Sequence, residues 1–202
     1  MSKGTKTLLI VVAIIVFVVL MIYGYISSTY NSLVTLEENV KASWSQVQNV
    51  YQRRADLIPN LVETVKGYAK HERETLQAVV DARSRVGSVN IDKNIINDPK
   101  ALKQYQSMQG ELSGALSRLL VVAENYPQLK ANENFLALQS QLEGTENRIA
   151  VERMRYNEAA QLFNTKRRMF PASIIANMSG FQEKAYFEAE QGAQNAPKVK
   201  FD

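Results

Sequence analysis

The chain contains no cysteine, which removes disulfides, thiolate metal sites and thiol nucleophiles together and leaves it compatible with reducing and oxidising compartments. Its single histidine is His71, so a His-rich metal site is excluded and a Ser-His-Asp arrangement would have to use that residue. Long runs of one charge are missing too. The 24 Lys and Arg are interspersed with 20 Asp and Glu, for a formal charge of +4. Such a balance lacks the clustered basic footprint of a nucleic-acid binder, and no nucleic-acid partner is expected. No segment reads as a strand, which leaves an all-α fold class.

One stretch stands apart. From Leu8 to Ile26 the sequence is LLIVVAIIVFVVLMIYGYI, 19 residues without a charge, and the first acid after it is Glu37. At about 1.5 Å per residue this run extends roughly 28 Å, close to the hydrocarbon thickness of a bilayer. Leu8, Val12, Ile15, Val19, Ile22 and Ile26 mark the expected membrane-spanning segment, and Tyr23 and Tyr25 fall where an aromatic belt meets the headgroups. A cleaved signal peptide would want a shorter apolar core and a small-x-small site. The exit here, YGYISSTY, has no Ala-x-Ala pattern, so an uncleaved anchor is preferred. Lys3 and Lys6 precede the span, whereas Lys41 is the only base in the following 15 residues. The positive-inside bias then puts the N-terminus in the cytoplasm and the domain on the outer side, with membrane lipid as a partner.

Beyond the span about 175 residues remain, enough for one domain with a sizeable core. Apolar or small residues recur at alternating steps of three and four through Leu33, Leu36, Val40, Trp44, Val47, Val50, Arg54, Ile58, Leu61, Val65, Tyr68, Glu72, Leu76, Val79, Arg83 and Val86. That is a helix seam facing partner helices. Pro59 lies in its middle, yet the rhythm crosses it in phase. The reading is therefore a kinked, nearly continuous helix from the membrane to about residue 86, roughly 90 Å long; a break into two antiparallel helices is the alternative.

Residues 87 to 99 read as a loop, with Asp98 as the cap and Pro99 as the first residue of the next helix. That helix stops near Pro127, and a longer one runs from about Gln128 to Phe170, ended by Pro171. ASIIANM is closed by Gly180, and FQEKAYFEAEQ is compatible with a helix. The expected organisation is a tail over 1–7, the transmembrane helix over 8–26, an antiparallel bundle of about four helices over 27–190, and a polar C-terminal tail over 191–202.

Few residues here carry chemistry. His71-Glu72 looks like half of a zinc-protease motif, but Thr75 occupies the place of the second histidine. Arg54 falls on the apolar seam and Glu152 on that of the last long helix, so Arg54 and Glu152, or a near neighbour such as Glu146, are candidates for a structural polar pair. Gly144 suggests a close helix crossing. Glu143 and Glu146 share one helix face but offer too few oxygens for a cation. Trp44 and the seam tyrosines read as packing. The uncharged FPASIIANMSGF reads as docking on the bundle, on another subunit or on the bilayer surface, and docking on protein is preferred because it lacks the basic face of an interfacial helix. No catalytic residue, cofactor or metal site is expected.

The blocks YNSLVTLEENVKASWSQVQNVYQRRADLIPNLVETVKGYAKHERETLQAVVDAR, ENYPQLKANENFLALQSQLEGTENRIAVERMRYN, FNTKRRMFPASIIANMSGF and YFEAE closely resemble the bacterial LemA family. Together they cover almost all of Tyr30 to Glu190. The resemblance implies a bundle of about four helices behind an N-terminal membrane anchor and no assigned catalytic residue, and the expected location is a bacterial inner membrane. The expected function is a non-enzymatic scaffold, a homo-oligomer that organises envelope or membrane-protein partners. The GY at 24–25 lacks the second small residue of a GxxxG motif, so association would use the soluble helices. The alternatives are an accessory subunit of a membrane protease or similar complex, and an enzyme using His71 with Glu72 or Glu74. The latter is disfavoured because a regular bundle seam offers little concavity.

Overall fold

A computed structural model describes residues 3–88 and 95–188. It is all-helical: α1 is Lys3–Tyr68, α2 Arg73–Ser88, α3 Pro99–Ala123, α4 Pro127–Lys130, α5 Glu133–Arg168 and α6 Ala172–Met178, with a 3-10 turn at Ile95–Asn97. Four long helices and two short ones thus build the expected bundle. Residues 89–94, inside the expected loop, and the expected tail over 191–202 lie outside the described residues.

Local chemistry sets most boundaries. The Asp98 side chain accepts from the backbone N–H groups of Lys100 at 2.9 Å and Ala101 at 3.2 Å, with Pro99 at the first helical position of α3. This satisfies donors that a helix start leaves without partners. Asn132 does the same for α5, accepting from Phe135 N–H at 3.0 Å. The continuous helix expected from the membrane to residue 86 ends early. The chain breaks at Ala69–Glu72, not at Pro59, and α2 returns along α1, with Arg83 Nε 3.0 Å from the Ala55 carbonyl oxygen.

Pro59 stays inside α1 for a reason visible at that contact. A proline has no N–H, so the carbonyl four residues earlier, that of Ala55, loses its helical donor. Arg83 supplies a replacement.

The chain divides into two compact units. One is built from Ser43–Glu158 and the chain from Lys184 onward. Its core joins Ile58, Leu61 and Val65 of α1 to Leu76 and Val79 of α2, Leu112, Leu116 and Leu119 of α3, and Phe135 and Leu142 of α5. Withdrawing each such side chain from water contributes about 1.5–3 kcal/mol before entropy is counted. α2 and α3 run antiparallel, as Tyr126 O–H reaching Glu72 at one end and Arg85 reaching Glu111 further along require.

The other unit is built from the chain up to Ala42 together with Ala159–Glu183. Leu33, Val40, Ala160 and Phe163 are buried in it, as are Ala172 and Ala176 of α6. Phe181 packs its ring 5.8 Å from that of Tyr30 and 6.1 Å from that of Phe163. The α6 helix ends at Gly180, whose φ of +75° suits glycine, and Phe181 N–H then bonds back to the Ala176 carbonyl at 3.0 Å. That is the pairing of a glycine-terminated helix end.

Segment FQEKAYFEAEQ, compatible with a helix by composition, is not helical over its described residues. Phe181–Glu188 has no regular secondary structure. Within the larger unit its end is tied down residue by residue. Ala185 N–H donates to the Ile96 carbonyl, Lys184 Nζ to Asn97 Oδ1, and Asn157 bonds both the N–H and the carbonyl of Phe187.

Candidate functional site: an exposed apolar span and a buried arginine centre

The first feature is the apolar segment of α1. Leu8, Val12, Ile15, Val19, Ile22 and Ile26 are 45–63% exposed. Among the described residues α1 alone is long and apolar enough to cross a membrane. So many contiguous apolar side chains in contact with water would be prohibitive for a soluble protein, whereas in lipid their burial is favourable and the helix satisfies its own backbone.

The second feature lies in the larger unit, at Arg54. Its side chain is 1% exposed. Nη1 donates to Glu146 Oε1 at 2.6 Å and to Ser113 Oγ at 2.7 Å, and Nη2 donates to the Gln109 side-chain oxygen. Gln109 donates in turn to the Tyr105 hydroxyl at 2.8 Å. Nε makes no hydrogen bond, and the guanidinium lies 5.5 Å from the Tyr51 ring centroid.

The expected pair of Arg54 with Glu152 does not form: the carboxylate on Arg54 is that of the alternative, Glu146, and Glu152 accepts instead from Arg155 at 2.8 Å, one turn along its own helix. Arg153 Nε donates to the Tyr51 hydroxyl, so the contacts of Tyr51 and Arg54 run down α5 as they run up α1 and the two helices are antiparallel there.

Around the arginine sits an aromatic cluster. Trp44 contacts the rings of Tyr105, Tyr156 and Phe187 at 5.7–6.2 Å, Tyr51 meets Tyr105 edge-on, and Arg153 lies over both Tyr51 and Phe187. Burial holds the Tyr105 hydroxyl well above its ordinary range, at about 12, and pushes Tyr51 and Tyr156 upward as well. These are the marks of a packed core whose polar tips bond inward. Tyr126 is raised for another reason, its hydrogen bond to the Glu72 carboxylate.

The remaining candidates are not gathered. His71 is exposed in the turn between α1 and α2, Glu143 accepts from Gln139, and a side chain added at Gly144 would meet open space, so that glycine makes no close helix crossing. Among the described residues no three His, Asp or Glu side chains converge to hold a metal ion. Sequence reasoning missed Gln109, Ser113 and Phe187. The first two lie on or beside the third helix's seam, where a glutamine at a core position facing an arginine was the available signal.

An apolar segment exposed on every side, on a helix that runs on into a helical bundle with a buried polar centre, defines a class: helical proteins that associate with membranes. Comparison with known proteins supplies the family. The LemA family model matches residues 43–201, and the chain belongs to that family. It is 28% identical to magnetosome protein MamQ 2 of Paramagnetospirillum magneticum, an alignment covering 93% of this chain and 75% of the relative. It is 26% identical to magnetosome protein MamQ of Magnetospirillum gryphiswaldense, over 98% and 78% of the two chains, and 26% identical to protein LemA of Metamycoplasma hominis, over 80% and 69%.

Proposed function

We propose that this protein is a single-pass, membrane-anchored and non-enzymatic scaffold, which self-associates through its soluble helices and organises envelope or membrane proteins. The carrying observation is the exposed 19-residue apolar segment continuous with bundle helix α1. The buried centre supports a structural rather than a catalytic role, because the Arg54 amino groups are spent on Glu146, Ser113 and Gln109 and the side chain, 1% exposed, is out of reach of a substrate. Two of the relatives are named for a cellular structure, the magnetosome, and not for a reaction, which also favours assembly over chemistry. The N-terminus is cytoplasmic and the domain lies on the outer side of a bacterial inner membrane, following Lys3 and Lys6.

Crosslinking in native membranes followed by mass spectrometry tests this. Crosslinks between two copies of the same α2 or α3 peptide support the scaffold. Crosslinks confined to one foreign membrane protease would replace it with an accessory subunit.

A further inference from the structure

The segment after α5 divides its side chains in a way that a protein-docking helix would not. In α6, Ala172 and Ala176 are buried, while Ile174 and Met178 on the opposite face are 52% and 84% exposed. Met169 and Phe170, just before it, are 55% and 84% exposed. The small residues meet the fold and the large apolar ones face out, the reverse of what burial in protein would select.

Two further observations say what covers that face. Phe181, three residues after Met178, packs on Tyr30, and Tyr30 is only four residues beyond Ile26, the end of the apolar span. Four residues of helix are about 6 Å and three of chain at most about 11 Å, so α6 sits where α1 would leave the hydrocarbon. Immediately before Met169, the last turn of α5 carries Lys166, Arg167 and Arg168. Arg167 Nε is held by the Phe181 carbonyl at 2.8 Å, and Arg168 is exposed. Apolar side chains bordered by cations suit the interface of an anionic bilayer.

We infer that Met169, Phe170, Ile174 and Met178 form a second membrane contact, an interfacial foot that inserts among the headgroups beside the span with Lys166 to Arg168 on anionic lipid. The basic face that α6 itself lacks comes from the preceding helix. This rests on the reading of Leu8–Ile26 as a bilayer span, and the test keeps the two apart.

Because the chain has no cysteine, single cysteines can be placed in the full-length protein and spin-labelled in vesicles of phosphatidylcholine and phosphatidylglycerol. The positions are Phe170→Cys and Met178→Cys, with Val16→Cys in the span and Val121→Cys, exposed on α3, as references. The ratio of collisions with oxygen to collisions with a water-soluble nickel chelate is expected to be severalfold higher at 170 and 178 than at 121, and highest at 16. If 170 and 178 match 121 while 16 lies deep in lipid, the foot is disproved and the span stands. Spin–spin broadening at 170 or 178 would show a second copy covering the face and also overturns it. An aqueous value at 16 removes both readings.

Discussion

At the scale of single residues the decisive asymmetry is between Arg54 and its carboxylate. The arginine is almost wholly buried, whereas the Glu146 side chain is 41% exposed. A buried pair adds little net stability, but losing one partner strands the other, and the cost follows whichever group is stranded without water. Glu146→Gln leaves a buried cation with neutral partners and is expected to cost about 3 kcal/mol. Arg54→Met leaves a carboxylate that water can reach, and its cost comes chiefly from Gln109 losing a donor, about 1–3 kcal/mol. Combining the two should cost less than their sum, a difference that thermal unfolding followed by circular dichroism in detergent resolves.

A second residue-scale expectation concerns Tyr105. Its hydroxyl is held by burial at about 12, against 10.0 in an ordinary tyrosine. The unfolded chain therefore releases this proton near pH 10 while the folded chain keeps it. The folded state binds more protons in that interval, so the contribution is complete below pH 10 and falls as pH rises toward 12, by on the order of 2 kcal/mol. Replacing Tyr105 with Phe should flatten the fall in unfolding midpoint between pH 9 and 11. An unchanged slope would mean that Tyr105 is not the group responsible.

At the scale of elements, the bundle shows which parts of a fold a periodic pattern can carry. Within the larger unit, burial at Trp44, Val47, Tyr51, Arg54, Ile58, Leu61 and Val65 follows the three-four rhythm through Pro59, with Tyr51 in place of the expected Val50, because one helix face meets one core. The same rhythm runs on through Glu72 and Leu76, and there it misleads. A seam records which face is buried and says nothing of direction, so a helix that turns back onto the same core keeps the phase. The strap at Lys184–Phe187 was hidden by propensity. Its Glu, Lys and Ala residues favour helix, but long-range bonds to Ile96, Asn97 and Asn157 override that preference and bury Lys184 to 2% exposure.

Pro59 gives this scale its prediction. If Arg83 supplies the donor that the proline lacks, Arg83→Met should destabilise the protein by about 1 kcal/mol, the net worth of such a bond. In a Pro59→Ala background the helix regains its own N–H at that position, and Arg83→Met should become nearly neutral. Equal penalties in both backgrounds would show that Arg83 acts independently of the proline.

At the scale of the whole molecule, membrane attachment follows from a sum over the span and can be overturned in steps. Leu8–Ile26 contains 14 Leu, Ile, Val and Phe residues, each worth about −0.3 to −0.6 kcal/mol on the insertion scale, or roughly −6 kcal/mol together. One central arginine costs about 3 kcal/mol on that scale, so Phe17→Arg should leave the protein in the membrane pellet after carbonate extraction. Arginines at Ile14, Phe17 and Leu20 together cost about 9 kcal/mol and also remove three favourable residues. The balance then changes sign, and the triple variant should appear in the supernatant or aggregate. If the single variant is already released, something other than hydrophobic burial limits insertion. If the triple variant stays in the pellet as folded protein, a contact besides the span holds it there, and the apolar face at Phe170 and Met178 becomes the surface to remove next.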